Sequence, residues 1–188
     1  ANENAILEYE KICKEIDCDF KRTDNYVYSL DNKKLLEKEI LALKKIGFNN
    51  FEFSENFELP FNTVGAIKFK NQAQFNPLKF ISLISQNLNI YENSHISEMV
   101  DTTAIVNDKF KIKANKVIVT THFPFINKHG LYFLKMYQHR SYVLALENAP
   151  LVNGMYVDEC KNGLSFREYD GYLLLGGGSH RTGKNGGS

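Results

Sequence analysis

Apolar residues recur at helical spacing in three stretches of the chain, and these stretches predict three helices. They cover residues 4–16, residues 33–46 and a shorter segment from 77 to about 86. We expect Asp31 to cap the second helix and Gly47 to end it, because glycine readily adopts the left-handed conformation that follows a helix. Asn76-Pro77 opens the third helix with a proline in its first turn.

Alternating or short apolar runs between turn residues predict the strands. They cover residues 20–30, 64–69, 89–92, 95–101, 103–106, 110–121, an alternating segment within 132–146, and residues 154–158 and 164–169. Residues 116–120 read Lys-Val-Ile-Val-Thr, which is typical of a strand buried inside a sheet. Gly171 is expected in a hairpin turn.

Residues 48–59 are unusually rich in phenylalanine. Phe51 and Phe53 alternate with polar residues, whereas Phe48 and Phe57 stand singly. We favour core packing for these rings over an aromatic cage for a substrate. Tyr142, in a later alternating segment, is also expected to lie in the core.

The stretch from Leu173 to Gly183 reads Leu-Leu-Leu-Gly-Gly-Gly-Ser-His-Arg-Thr-Gly. Its leucines suit a buried strand. Gly176, Gly177 and Gly178 bury no side chain and cost backbone entropy of about 0.5–1 kcal/mol each, so a flat ligand lying close to the backbone would explain them. The alternative is a glycine-rich loop that leads into a disordered tail.

The composition is that of an ordinary globular protein. The 188 residues are 43% hydrophobic, enough for a core in one or two structural units. A net charge of +1 gives no electrostatic case for nucleic acid or an anionic membrane as partner. No apolar run reaches the roughly 18 residues of a membrane span, and residues 1–16 lack the layout of a secretory signal, which predicts a cytoplasmic protein. Cys13, Cys18 and Cys160 match no zinc spacing, so we expect free buried thiols and no metal site.

The order of the elements predicts an α+β fold, with a mixed, largely antiparallel sheet and flanking helices. Amphipathic strands come first, a tight sheet segment follows, and amphipathic strands return before the glycine strand. This order suggests that the chain leaves one domain, visits another and returns. The predicted division gives residues 1–69 and 129–170 to the first domain, 70–128 to the second, and 171–188 to the returning strand and tail.

Four motifs between residues 60 and 183 resemble the FAD-dependent oxidoreductases of the D-amino-acid oxidase type. This group includes glycine oxidase-like, sarcosine oxidase-like and glycerol-phosphate dehydrogenase-like enzymes. The motifs are Asn76-Pro77 with its helix, residues 90–96 (Ile-Tyr-Glu-Asn-Ser-His-Ile), residues 112–121 (Ile-Lys-Ala-Asn-Lys-Val-Ile-Val-Thr-Thr) and residues 165–177 (Ser-Phe-Arg-Glu-Tyr-Asp-Gly-Tyr-Leu-Leu-Leu-Gly-Gly). Asn76 departs from the family, which has an acidic residue there. The segment 140–146 and the glycine-histidine ending are most similar to members that can carry an appended iron-sulfur domain.

The resemblance implies FAD as the cofactor and a first domain that binds the substrate. The positions it assigns to FAD are Ile96 at the adenine end, Thr120 and Thr121 along the dinucleotide, and Gly176, Gly177 and Gly178 beside the isoalloxazine ring. Residues 1–60 contain no match to the Gly-x-Gly-x-x-Gly turn that holds the pyrophosphate in this family. We therefore expect an internal fragment that does not retain FAD alone, with residues 70–128 a remnant of the FAD-binding domain. Its partners would be the missing FAD-binding segments, and an exposed docking face would favour self-association.

Three side chains are candidates for contact with a small-molecule substrate. Arg140 and Arg167 can bind a carboxylate, since the guanidinium fork matches it bidentately and stays charged, and the alternative for Arg167 is a surface arginine on a hairpin. His180 could exchange protons near the flavin, although an ordinary solvated histidine fits its position equally well. The sequence identifies no catalytic residue. Two functions follow: part of an oxidoreductase that transfers a hydride from a C–N or C–O bond to FAD, or a stand-alone α+β module that binds a ligand or protein without catalysis.

Overall fold

The computed structural model describes residues 2–55, 57, 59–123, 125 and 130–184. In chain order its elements are α1 (Asn2–Glu15), β1 (Lys21–Ser29), α2 (Lys33–Lys45), β2 (Phe51–Ser54), β3 (Gly65–Gln74), α3 (Pro77–Ile84), β4 (Ile96–Val100), β5 (Thr103–Val106), β6 (Phe110–Lys113), α4 (Tyr132–Lys135), β7 (His139–Leu146), β8 (Met155–Asp158), β9 (Ser165–Tyr169) and β10 (Tyr172–Arg181). The described residues form two compact units, 2–86 with 141–180, and 87–140 with 181–184.

The first unit is built on a seven-stranded sheet in the order β2-β3-β1-β8-β9-β10-β7. Strands β1 and β8 pair in parallel, whereas the pairs β2-β3, β3-β1, β8-β9 and β9-β10 are antiparallel. The predicted α+β class with a mixed, largely antiparallel sheet is therefore confirmed. The hairpin between β9 and β10 turns at Asp170 and Gly171, both with positive φ (53° and 80°), as expected for Gly171.

The strand register places two rows of residues on one face of this sheet, which we call the Arg167 face. One row runs Phe53, Ile67, Val27, Val157, Ser165, Gly176, and the other runs Phe51, Phe69, Asn25, Met155, Arg167, Leu174. The opposite face carries the main core, in which Tyr28, Tyr156, Phe166 and Leu173 are buried. Because successive strand residues point to opposite faces, the alternation in β1 separates these two sets.

Helix α2 covers only one end of the Arg167 face. Its Leu36 and Leu43 pack against Ile67, with Phe48, Phe51 and Phe69 around them. Along one row of the sheet, the exposed fraction rises from 0% at Ile67 to 44% at Val157. The prediction that Phe48 and Phe51 belong to the core is confirmed. The far end of the same face is open.

The ends of α2 follow from two residues. The predicted cap Asp31 is wrong, since Asn32 is the capping residue and its Oδ1 accepts a hydrogen bond from Leu35 N at 3.1 Å. Ser29 Oγ accepts a bond from Asn32 N at 2.9 Å, which holds Asn32 at the position next to the first helical residue. At the other end Gly47, with φ of 74°, ends the helix as predicted, and its N–H bonds the Lys44 carbonyl.

Asn76 joins three parts of the first unit. Its Oδ1 accepts bonds from Leu78 N and Lys79 N (3.0 and 3.1 Å), and its Nδ2 donates to Tyr169 Oη at 2.6 Å. Tyr169 in turn donates to Asp19 at 2.6 Å, and Lys79 Nζ donates to the same carboxylate at 2.8 Å. The bond from Lys79, and then the bond from Tyr169, hold the pKa of Asp19 below its usual value.

We expect Asn76→Ala to lower the free energy of unfolding by about 1–2 kcal/mol, because it removes the helix cap and leaves Tyr169 with one partner fewer. Urea denaturation followed by circular dichroism measures the change. Asn89→Ala is the matched control, since Asn89 is exposed outside any helix or strand. Equal midpoints for the two variants would contradict the role given to Asn76.

The second unit contains a three-stranded antiparallel meander, β4-β5-β6. Two predictions for this region are wrong: residues 89–92 and 116–120 form no strand, and Val117, Ile118 and Val119 are 40–84% exposed. Their β-branched composition favours an extended chain, but a strand also needs a neighbour to bond. Among the described residues none pairs with 116–120.

The three thiols are free, but they differ in exposure. Cys18 is buried and Cys13 partly buried, whereas Cys160 is exposed, so the expectation of a buried thiol is wrong for Cys160. That residue lies in the turn after β8, where its side chain has no core to enter. Within the described part of the chain, no group of three or more His, Cys, Asp or Glu residues could hold a metal ion. No described helix has both the length and the apolarity needed to cross a membrane.

Iodoacetamide at pH 8 should alkylate Cys160 first. Burial, together with contact with the Cys18 thiol, raises the pKa of Cys13 to about 12, so its reactive thiolate is about one part in ten thousand at that pH. Peptide mapping by mass spectrometry gives the order of labelling. In the Cys160→Ser variant, the remaining cysteines should be labelled only after denaturant is added. Rapid modification of Cys13 in the native protein would contradict the burial described for its thiol.

Candidate functional site

A cavity of about 230 Å³ lies on the open end of the Arg167 face, within the first unit. Its walls come from β1, β7, β8, β9 and β10, through Asn25, Val143, Met155, Tyr156, Val157, Ser165, Phe166, Arg167, Leu174 and Gly176. Most of the side chains on this face are apolar, and the polar ones are Asn25, Ser165 and Arg167. A concave apolar surface with a few polar groups is the usual form of a small-molecule site.

Arg167 is the charged group of this cavity. It lies in β9 between Met155 and Leu174 in the register and is partly buried. Among the described residues, no hydrogen bond or ion pair is formed by its guanidinium. A partly desolvated guanidinium without a carboxylate favours binding of an anion, since its five N–H donors would otherwise have only water.

Gly176 lies opposite Ser165 on the neighbouring strand. A Cβ atom on Gly176 would lie 2.5 Å from Ser165 Oγ, so the glycine leaves the space that this hydroxyl occupies. Real Cβ atoms do not approach another atom so closely. A side chain at position 176 would therefore have to displace this hydroxyl, which lies at the cavity wall.

Gly177 and Gly178 differ in what a side chain would meet at each position. A Cβ on Gly177 would lie 2.5 Å from Leu164 Cδ2, at the tip of an exposed side chain that can move aside. Gly178 has a φ of 62°, a conformation that favours glycine. Both lie in β10, so the alternative of a glycine-rich loop is wrong for these residues.

His180, near the end of β10, stacks on Tyr142 with ring centroids 5.9 Å apart, and its Nδ1 lies 3.1 Å from the Gly178 carbonyl oxygen. Tyr142 is 53% exposed, so the expectation that it lies in the core is wrong. The alternation in β7 is real, but β7 is the last strand of the sheet and α2 lies at the opposite end. Neither ring is among the residues that line the cavity.

The other predicted site residues belong to the second unit. Ile96 is partly buried in β4 and pairs with Val106, whereas Thr120 and Thr121 are exposed beyond β6. Arg140 is exposed in β7. The structure thus brings Arg167 and Gly176 together in one cavity, and the assignments of the remaining residues stay predictions.

A larger cleft of about 480 Å³ near the start of β1 is a weaker candidate. Three of its four cations already have partners, because Arg22 bonds Glu10, Lys68 bonds Asp24 and Lys70 bonds Glu52, whereas Lys21 is exposed. The bond to Asp24 raises the pKa of Lys68 above its usual value, which keeps the pair charged. Such mutual neutralisation leaves little for an anionic ligand.

The sequence pointed to Arg167 and Gly176 but not to Asn25 or Ser165. The only sequence signal for Asn25 is the alternation of residues in β1. It predicts that Asn25 lies on the other face of the sheet from Tyr26 and Tyr28, but not which of the two faces is open. Ser165 precedes Arg167 by two residues, so the two share a face of β9. That spacing could have suggested Ser165 once Arg167 had been chosen.

Comparison with known proteins shows which fold this is. No family model matches the chain. A curated protein of Bacillus subtilis (strain 168), named "Putative Rieske 2Fe-2S iron-sulfur protein YhfW", is 30% identical over 201 aligned residues, and the alignment covers 98% of this chain and 39% of that protein. The chain thus spans about two fifths of the length of this curated relative.

Three solved structures share the fold. They are glycine oxidase from Geobacillus kaustophilus (TM-score 0.72, 14% identity, 96% of this chain and 55% of that chain), L-proline dehydrogenase from P. horikoshii (0.71, 11%, 97% and 55%) and iminodiacetate oxidase (IdaA) from Chelativorans sp. BNC1 (0.67, 13%, 98% and 57%). The resemblance to this type of oxidoreductase, predicted from sequence motifs, is confirmed for the fold. The chain corresponds to slightly more than half of each structure.

Proposed function

We propose that this chain is the substrate-binding part of an FAD-dependent oxidoreductase that transfers a hydride from a C–N or C–O bond of a small carboxylic acid to flavin. The observation that carries the proposal is the unpartnered guanidinium of Arg167 beside Gly176 in an apolar-lined cavity. In this proposal the guanidinium grips the substrate carboxylate through two charge-assisted hydrogen bonds. Leu174, which pairs with Arg167 in the register, provides apolar contact beside those bonds.

The names of the structures that share the fold support an amine as the oxidised group. Glycine, L-proline and iminodiacetate each carry an amine nitrogen one carbon from a carboxylate. A site for such molecules must hold the carboxylate firmly, so that the carbon next to nitrogen is fixed at the reacting position. Arg167 is the residue of this chain that we propose to hold the carboxylate.

Neither α2 nor α3 offers the kind of helix start that holds the pyrophosphate of FAD in a dinucleotide-binding fold. The amides at the start of α2 and α3 are bonded by the side chains of Asn32 and Asn76, and Pro77 has no N–H to offer. Neither helix begins with a glycine-rich turn. We therefore assign the phosphate contacts to segments of the complete protein outside this chain, and we derive no reaction step from this chain through the flavin itself.

The exposed apolar run at Val117, Ile118 and Val119 is proposed as part of the contact with those segments. The chain alone would then expose an apolar surface and self-associate at high concentration. The cytoplasm remains the proposed location, and neither nucleic acid nor membrane is among the proposed partners, since a net charge of +1 gives no electrostatic case for them.

Flavin content tests the proposal. The protein produced from the chain together with its flanking coding sequence should purify with FAD bound, whereas this chain alone should be colourless and bind FAD no more tightly than about millimolar, since phosphate contacts are missing. Absorbance spectra and isothermal titration calorimetry give both values. A longer protein without flavin, even after incubation with FAD, would contradict an FAD-dependent activity.

A further inference from the structure

Three polar side chains of the cavity have no hydrogen-bond partner among the described residues, and only one of them is needed to hold a carboxylate. Besides Arg167, these are the Asn25 amide and the Ser165 hydroxyl. Neither side chain forms a hydrogen bond within the described residues, and both are partly buried. Polar groups that lose water without gaining a partner cost free energy. A ligand that bonds them would remove this cost.

The register fixes how these groups are spaced. Asn25, Met155 and Arg167 are successive members of one row, on β1, β8 and β9. Since neighbouring strands lie about 4.8 Å apart, the Cα atoms of Asn25 and Arg167 are about 10 Å apart, with the Met155 side chain between them. Because both side chains stand on the same face, the guanidinium and the amide can contact different ends of one ligand.

The chemistry at the two ends differs. Arg167 has only donors and suits a carboxylate, whereas the Asn25 amide both donates and accepts, so it complements a second amide. Met155 lies between the two ends in the register and provides apolar contact for the part of the ligand that joins them. The thioether of Met155 can adapt to that part of the ligand.

We propose that this cavity binds carboxylic acids that carry a second hydrogen-bonding group away from the carboxylate, with Asn25 as the residue that recognises that group. The inference rests on the proposed function, because it takes Arg167 as the carboxylate partner. Ser165 Oγ lies in the adjacent row beside Gly176, two residues from Arg167 on β9, and bonds the ligand near its carboxylate.

Two probes of equal charge and chain length isolate the contribution of Asn25. Glutaramate and pentanoate both carry one carboxylate, but only glutaramate ends in an amide. We expect the chain to bind glutaramate about 5- to 10-fold more tightly than pentanoate, the gain of one well-formed neutral hydrogen bond. Titrations followed by ¹⁵N–¹H NMR give both dissociation constants and show whether the cavity residues shift.

Asn25→Leu should abolish the preference for glutaramate while leaving pentanoate binding within about twofold of the native value. Asn25→Ala serves as a second variant if leucine disturbs the fold, and far-UV circular dichroism checks both. Lys161→Gln, an exposed change in the same unit, is the control for charge and should leave both constants unaltered.

The outcomes separate this inference from the proposed function. Equal binding of the two acids, or a glutaramate preference that survives in both Asn25 variants, overturns the role of Asn25 while the carboxylate site stands. Loss of all binding in Arg167→Gln together with loss of the preference in Asn25→Leu supports both. Absence of any saturable shift with either acid overturns the carboxylate site itself, and this inference with it.

Discussion

Replacing Arg167 with glutamine should raise the substrate concentration that half-saturates flavin reduction by about 100-fold in the flavin-loaded protein. Glutamine removes the positive charge and the two-pronged guanidinium group. Two charge-assisted hydrogen bonds to the carboxylate are then replaced by at most one neutral bond, a loss of about 3 kcal/mol in binding free energy. Arg167→Lys keeps the charge and should lose less, about 10-fold, because the lysine ammonium cannot bond both carboxylate oxygens in the same way. Rapid-mixing absorbance measurements over a range of substrate concentrations give these values.

Flavin content should stay normal in both variants, because Arg167 is proposed to contact the substrate. Lys161→Gln also removes a positive charge from the first unit, but at an exposed position outside the cavity, and it should leave the half-saturating concentration unchanged. If the Arg167 and Lys161 variants behaved alike, the carboxylate would be held elsewhere. Arg140, exposed on β7, would then be the next residue to replace.

Ile67→Ala should lower the free energy of unfolding of the chain by about 3–4 kcal/mol, whereas Val157→Ala should lower it by less than about 1 kcal/mol. The two residues belong to the same row of the Arg167 face, separated by Val27. Ile67 is fully buried beneath α2, so its truncation leaves a cavity, while Val157 is 44% exposed at the open end. Urea denaturation followed by far-UV circular dichroism measures both changes.

This comparison tests whether the face is open where the proposed substrate binds. Two large and similar losses would mean that Val157 is packed against something the described contacts do not contain. Two small losses would mean that α2 does not cover Ile67. Either result would remove the basis for a substrate cavity at the far end of the sheet.

Local signals predicted the helices and strands of the first unit well, because most of them depend on neighbouring residues alone. Gly47 and Asn76 act through their own backbone and side-chain bonds to the adjacent helix turn, so the sequence was enough to identify them. The strand prediction for residues 116–120 is wrong for the opposite reason. Their apolar, β-branched composition predicts a strand, but forming one depends on a partner strand that none of the described residues supplies.

The site was predicted in part for similar reasons. Arg167 could be chosen from its chemistry and from a motif shared with a known family. Asn25 could not, since it lies more than 100 residues away and meets Arg167 only through the register of β1, β8 and β9. The assignment of the glycine triplet to a flat ligand stays a prediction, and for Gly176 the structure adds a close neighbour that the local pattern could not show, the Ser165 hydroxyl on the next strand. Such cross-strand causes follow from pairing, which the local pattern does not specify.

Anaerobic mixing of the flavin-loaded protein with small amine-bearing carboxylic acids tests the central claim most directly. The account predicts that at least one such acid bleaches the oxidised flavin in a single turnover, with a rate that saturates as its concentration rises. The matching amine without a carboxylate should react far more slowly, because Arg167 would have nothing to grip. Flavin that is reduced equally well by the amine without the carboxylate, or by none of the amine and hydroxy acids tested, would contradict the assignment of this chain as a carboxylate-binding substrate domain.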